Sequence, residues 1–321
     1  MEAALTTLTS PVILFFLLGG LAAFARSDLA IPEAMAKGLS IYLMIAIGLK
    51  GGIEVSKTGF TPDLLIAAAA GLALSFLIPF VAFGLLRTIG KLDKINAGAV
   101  AAHYGSVSVV TFVAASEILT KQGLGAAGYM VAVLALMETP AIISGLFLAR
   151  RGAKEAAGAP RRSGMLHEVL LNASVVLLVG SFLIGLATGP AGYEPIKPVF
   201  DGLFRGLLAI FLLDMGLVAG RRLLETRSLT GRLAALAVAL PLLNGTIGTF
   251  IGVLIGLDTG SAAALGILAA SASYIAVPAA MRLALPQADP GLYLSMSLGV
   301  TFPFNIIIGI PLFAALARML S

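Results

Sequence analysis

Residues 101–111 read Ala101-Ala102-His103-Tyr104-Gly105-Ser106-Val107-Ser108-Val109-Val110-Thr111, and residues 269–278 read Ala269-Ala270-Ser271-Ala272-Ser273-Tyr274-Ile275-Ala276-Val277-Pro278. Both lie inside long apolar blocks. Both crowd small, hydroxyl-bearing residues where an uninterrupted helix would carry Leu or Val. The second adds a proline, which removes a backbone donor and disturbs the preceding turn. The two stretches align at an offset of 168 residues. The same offset sets Ile47-Gly48-Leu49-Lys50-Gly51-Gly52 against Met215-Gly216-Leu217-Val218-Ala219-Gly220, and Gly98 against Gly266. With a small slip Thr139-Pro140 approaches Phe302-Pro303, and Leu146-Phe147 meets Leu312-Phe313. Single matches mean little in a chain rich in Gly and Ala, but one offset shared by three pieces indicates an internal repeat.

The surroundings of these stretches are membrane-like. Of 321 residues, 59% are hydrophobic and 12% charged, and the mean hydropathy is +1.03. A soluble domain averages about 45–50% apolar and about 25% charged residues, so a soluble enzyme and a disordered chain are both excluded. Barrel strands alternate polar and apolar residues, whereas this chain is apolar in blocks. The 37 glycines and 15 prolines suit membrane helices, which tolerate both. A span takes about 20 apolar residues. Reading between charges gives ten: 12–26, 38–52, 62–87, 96–119, 127–149, 168–189, 202–220, 232–256, 260–285 and 291–317. The first two are short and carry glycine. No A-x-A cleavage site follows the first, so it reads as a retained helix. There are no cysteines, hence no disulfide, thiol nucleophile or cysteine metal site.

The longest hydrophilic stretch, residues 150–167, holds Arg150, Arg151, Lys154, Arg161 and Arg162 and is predicted to be a cytoplasmic loop. Fixing it inside places 15 of the 21 Lys and Arg on the cytoplasmic side and both termini outside. The net charge of +5 therefore reads as topology rather than nucleic-acid binding. The loop separates residues 1–149 from residues 168–321, five spans each. An odd number of spans inverts the second half relative to the first. That is the inverted-repeat design of secondary transporters, with substrate held at the repeat interface near the midplane. The fold expected is an all-α membrane protein of ten transmembrane helices in two inverted five-helix repeats. Its fourth and ninth helices are broken and cross near the midplane, within a core domain and a gate domain that each draw on both repeats.

Broken helices bring their own chemistry. Half-helix N-termini expose N–H groups and a positive dipole end, suited to a small anion. Freed carbonyls and the opposite half-helix ends suit sodium, and serine hydroxyls serve either. Gly105, Ser106, Ser108, Ser271, Ala272, Ser273 and Tyr274 are therefore the candidate anion ligands. The competing reading is a small-residue face for close helix packing. Intramembrane ionisable residues are rare and functional by default, which singles out Glu138, beside Thr139-Pro140, and Asp214. Candidate sodium ligands are Ser106, Thr111, Glu138, Thr139, Thr301, Asn305 and Asp214. For Asp214, in a span without a break, pairing with a basic residue or capping a helix is the simpler reading. His103 reads as a packed, hydrogen-bonded histidine, and Asn172 and Asn244 as helix bridges. No zinc-protease, nucleophile-elbow, Walker or dinucleotide motif occurs. Two histidines leave no histidine-rich metal site, so no transition metal and no cofactor beyond a coupling Na⁺ are expected. Without a nucleotide fold, the energy comes from an ion gradient.

At these residues the chain resembles the sodium-dependent bicarbonate permease family, best known from cyanobacterial carbon concentration. The similarity runs through Ile47 to Gly52, Gly105-Ser106-Val107-Ser108 and Glu138-Thr139-Pro140-Ala141. It continues through Leu203-Phe204-Arg205-Gly206-Leu207-Leu208, Met215-Gly216, Ala269-Ala270-Ser271, Ser273, Pro278 and Ile310-Pro311-Leu312-Phe313. The resemblance implies Na⁺-coupled bicarbonate symport into the cell across the cytoplasmic membrane, a homotrimer, and Ser106, Ser108, Ser271 and Ser273 at the meeting of two broken helices. The cyanobacterial form has Asp for Glu138, an acid where this chain has Tyr274, and a longer middle loop. It is inhibited by a PII-like signalling protein, an implied partner besides bicarbonate, Na⁺ and lipid. The alternatives are a sodium-coupled symporter of another small organic anion on a bile-acid-symporter-like fold, and a passive anion channel or membrane sensor.

Overall fold

The computed structural model describes residues 11–59, 61–150, 173–225 and 228–321. Arg151, Lys154, Arg161 and Arg162 of the basic loop, together with Asn172, lie outside the described residues. Every regular element among the described residues is helical. They are α1 (Pro11–Phe24), α2 (Glu33–Thr58), α3 (Pro62–Thr88), α4 (Lys94–Gly105), α5 (Val109–Lys121), α6 (Met130–Met137), α7 (Pro140–Arg150), α8 (Ala173–Tyr193), α9 (Phe204–Glu225), α10 (Gly231–Leu254), α11 (Thr259–Ala270) and α12 (Ala276–Ala284). A π-helical turn, Pro198–Gly202, lies between α8 and α9, and the last run, α13 (Pro290–Leu320), contains π-helical turns at Ser295–Thr301 and Asn305–Gly309. Seven helical runs among the described residues are long and apolar enough to cross a membrane. The chain is an all-α membrane protein. The second apolar block, expected at 38–52, is longer than the charges suggested: α2 runs unbroken for 26 residues and carries Glu33, Lys50, Glu54 and Lys57 within it.

Helix starts follow local chemistry. Thr61 and Thr230 cap α3 and α10 by accepting from Leu64 and Leu233 N–H, each at 3.4 Å. Asp93 and Asp258 cap α4 and α11. Such caps satisfy N–H groups that the first turn leaves unpaired. The order of caps, Thr then Asp, is the same in both halves.

Packing divides the helices into two groups. α2 lies along α8 and α9 along α1. Glycine makes these approaches possible: a Cβ at Gly48 would meet the Leu178 carbonyl oxygen of α8 at 2.9 Å, and one at Gly216 would overlap the backbone of Phe16 in α1. Small residues at such seams let backbones touch where no hydrophobic force acts between helices. The second group joins α3 to α4, α4 to α7, and α10 to α11. Leu14, Leu18 and Leu21 of α1, Leu65 and Leu77 of α3, and Phe250 and Leu254 of α10 stay exposed, as lipid-facing surfaces do.

Candidate functional site

The helical run 94–121 breaks at residues 106–108, and the run 259–284 breaks at residues 271–275. α4 and α11 are each 12 residues long, begin after a capping Asp and end at a serine. Matched by these ends, Ser106 faces Ser271 and Ser108 faces Ser273 in register. This local offset of 165 residues is three fewer than the one read from composition. The helix limits decide it, because Ala-rich sequence aligns equally well with itself at several shifts.

The two breaks are tied to each other. Ser273 N–H donates to the His103 carbonyl at 2.9 Å, and His103 Nδ1 lies 2.5 Å from the Ser273 carbonyl oxygen. A carbonyl only accepts, so Nδ1 carries the proton in this contact. Ser108 N–H donates to Ser271 Oγ at 2.9 Å, and Ser271 Oγ donates to the Leu268 carbonyl at 2.8 Å. His103 is fully buried and stacks on Tyr293, ring centroids 4.5 Å apart. It is the packed histidine expected.

Two half-helices start at the breaks, α5 and α12. Ser108 Oγ caps α5 by accepting from Thr111 N–H at 3.2 Å, and Ser273 Oγ accepts from Val277 N–H at 3.4 Å. Both starts open on one small cleft of about 190 Å³, lined by Val107, Ser108, Val109, Glu138, Ser273, Tyr274, Ile275 and Ala276. Backbone at a helix start offers N–H groups and a partial positive charge to whatever enters. Glu138 brings the cleft a carboxylate. It is 3% exposed, and its Oε2 has no hydrogen-bond partner among the described residues. A buried carboxylate oxygen without a donor is costly and suits a cation placed beside it.

Glu138 stands at a third interruption. Residues 138–139 form a turn between α6 and α7, where Pro140 lacks the N–H that would continue the helix. The carbonyls there are already engaged. Ser75 Oγ donates to the Met137 carbonyl at 2.7 Å, and Ser106 Oγ to the Glu138 carbonyl at 3.0 Å. Beside the Thr139 hydroxyl, the oxygens left over at this turn are those of the Glu138 carboxylate, whose Oε2 is buried without a partner among the described residues.

The other candidates spread out from the cleft. Gly105 packs against Pro79 and Ala141, leaving no space for a Cβ, and so lets the end of α4 pass close to α3 and α7. Ala272 and Thr111 are buried without lining the cleft, and Thr139 is half-buried. Thr301 donates to the Ala237 carbonyl at 2.6 Å and lies 2.7 Å from the Tyr104 hydroxyl. Asn305 Nδ2 donates to the Ala270 carbonyl at 2.8 Å, at the free C-terminal end of α11. Asp214 is buried within unbroken α9 and does not line the cleft. Sequence reasoning missed Val107, Val109, Ile275 and Ala276, which also line the cleft. The cap spacing from Ser108 to Thr111 is the signal that could have found the first two.

The paired breaks thus close on one cleft that offers two helix starts and one carboxylate within a helical membrane protein. A family model described as the Na⁺-dependent bicarbonate transporter superfamily matches residues 11–318, and the chain belongs to that superfamily. No curated protein matches it. Membership carries a transport role.

Proposed function

We propose that the protein is a secondary transporter that couples inward bicarbonate movement to Na⁺ by alternating access. The observation that carries this reading is the convergence of the α5 and α12 starts with Glu138 on one cleft. The helix starts suit the anion, the carboxylate suits the cation, and their closeness lets each ion offset the charge of the other. Anion contacts come from Ser108, Ser273, Tyr274 and the backbone of Val109, Ile275 and Ala276. Ser106, Ser271, Gly105 and Ala272 shape the breaks. Glu138 is the first Na⁺ ligand; Thr139, Thr111, Thr301, Asn305 and Asp214 are further candidates. No cofactor beyond Na⁺ is required.

Ten spans follow if α1, α9 and the broken α11–α12 run join the seven long apolar runs. An inverted repeat is supported by the packing. The α2–α8 pair joins spans two and six, and the α9–α1 pair joins seven and one; exchanging the halves turns one pair into the other. The repeated Thr and Asp caps support it too. α1, α2, α8 and α9 then form the gate domain, and the broken helices ride in the core domain. Both termini outside, the cytoplasmic membrane, a homotrimer and a PII-like regulator at the 150–167 loop complete the proposal. These rest on the charge distribution and the family.

The test is uptake of labelled bicarbonate into proteoliposomes with and without an inward Na⁺ gradient. Bicarbonate accumulation that requires the gradient is expected. Sodium-independent uptake, or acetate entering while bicarbonate does not, overturns it.

A further inference from the structure

A second cavity of about 200 Å³ lies between the two helix groups, lined by Ser40, Leu43 and Met44 of α2, Val109, Val110 and Val113 of α5, and Phe211 of α9. Val109 lines this cavity and the ion cleft alike, so the two adjoin. Moving seven residues along a helix returns to the same face about 10 Å further on. On α2 that step leads from Leu43 to Lys50, on α5 from Val110 to Glu117, and on α9, which runs the other way, from Phe211 to Phe204 and its neighbour Arg205. One face of each of the three helices thus runs from the second cavity to one cluster.

That cluster is ionic, in contrast to the mostly apolar cavity. Arg205 Nε lies 2.5 Å from Glu117 Oε1, which Lys121 Nζ also approaches at 3.4 Å. Lys50 Nζ pairs with Asp201 at 2.7 Å and sits 4.4 Å from the centroid of the Phe204 ring. Tyr193 hydroxyl donates to the same Asp201 oxygen at 3.0 Å. Glu117 is 9% exposed on its side chain while Arg205 is 63% exposed. The buried carboxylate belongs to α5, which continues the broken run, and the cation to α9 of the gate group. The pair therefore spans the two groups.

We propose that the seam between α2, α5 and α9 opens as an access route to the ion cleft, and that the Glu117–Arg205 pair, backed by Lys121 and Lys50–Asp201, is the ionic gate that holds it shut. This rests on the reading of the protein as an alternating-access transporter. When the groups separate, Arg205 withdraws from Glu117. Lys121, on the same helix as Glu117, keeps that carboxylate from standing unpaired, which lowers the cost of opening. Three cations share two carboxylates at the mouth, a balance that favours anions arriving there.

The chain has no cysteine, so a single Val113→Cys reports on the seam without a background. In purified protein, Glu117→Gln and, separately, Arg205→Gln are expected to speed modification of Cys at 113 by a hydrophilic maleimide at least tenfold. A control Val100→Cys, buried in α4, is expected to stay slow. Rates at 113 within twofold of the parent, or an equal rise at 100 from general loosening, overturn the gate. The reading needs no bicarbonate, so it stands or falls separately from the choice of transported anion.

Discussion

Four serines occupy the two breaks, and their hydrogen bonds sort them into two pairs. Ser106 and Ser271 spend their hydroxyls on the Glu138 and Leu268 carbonyls, and Ser271 also accepts from Ser108 N–H. Ser108 and Ser273 line the cleft. Ser106→Ala and Ser271→Ala are therefore expected to lower thermal stability by about 1–3 kcal/mol, because each strands a buried backbone group; a melting curve in detergent checks this. Ser273→Ala gives up a longer, 3.4 Å contact from Val277 N–H and is expected to cost about 0.5–1 kcal/mol of stability, but also to raise the half-saturating anion concentration about tenfold, the effect of one lost contact of ~1.4 kcal/mol. Glu138→Gln removes the charge proposed to hold Na⁺ and is expected to raise the Na⁺ concentration for half-maximal uptake about tenfold or more. A Na⁺ titration of uptake reads it directly. The residue types were legible in the sequence at this scale, as were their rarity at membrane depth. Their partners were not: Ser108 and Ser271 meet across 163 residues, and no local pattern says which hydroxyl is already used.

The broken helices are held at their outer ends as well as at their breaks. Asp93 Oδ1 accepts from Ile95 and Asn96 N–H at 2.9 and 3.0 Å, and Asn96 Oδ1 accepts from Asp289 N–H at 2.8 Å. Asp289 in turn caps α13 through Gly291 N–H. One chain of caps thus joins the start of α4 to the start of α13. Partial burial works to raise the Asp93 carboxyl, but the hydrogen bonds from Asn96 and Ile95 outweigh it and hold the group below the usual carboxylate range. A depressed acid contributes its stability above the unfolded value and loses it as the pH falls through the folded one. Asp93→Ala is expected to cost about 1 kcal/mol at neutral pH, and the difference between parent and variant is expected to shrink as the pH drops below the carboxylate range. Melting points across an acid series check both. The Asp and Thr caps were readable from sequence as residue types. The twist at this scale was the register: α4 and α11 match through their ends, while the small residues between them allowed a competing alignment.

Across the whole molecule, two helix groups meet along α2, α5 and α9, and the cleft at the breaks adjoins the cavity on that seam through Val109. If transport moves one group against the other, fixing the seam stops it. Leu43→Cys with Val113→Cys places one thiol on each side of the seam cavity. Joining them with a short bifunctional thiol reagent is expected to abolish uptake, whereas either single variant treated alike is expected to keep most of it. Unimpaired uptake after full cross-linking would show that the seam does not move. The sequence by itself determined that this chain is an all-helical membrane protein, where its long apolar runs lie, and that two small-residue stretches interrupt them, because hydropathy, glycine, proline and capping residues act within a few residues of themselves. Only the tertiary structure decided which serines face the cleft, that Asp214 stands apart from it while Glu138 enters it, and that Glu117 pairs with Arg205. Those outcomes depend on helices distant in sequence being set side by side, and contact between them has no signature in either helix alone.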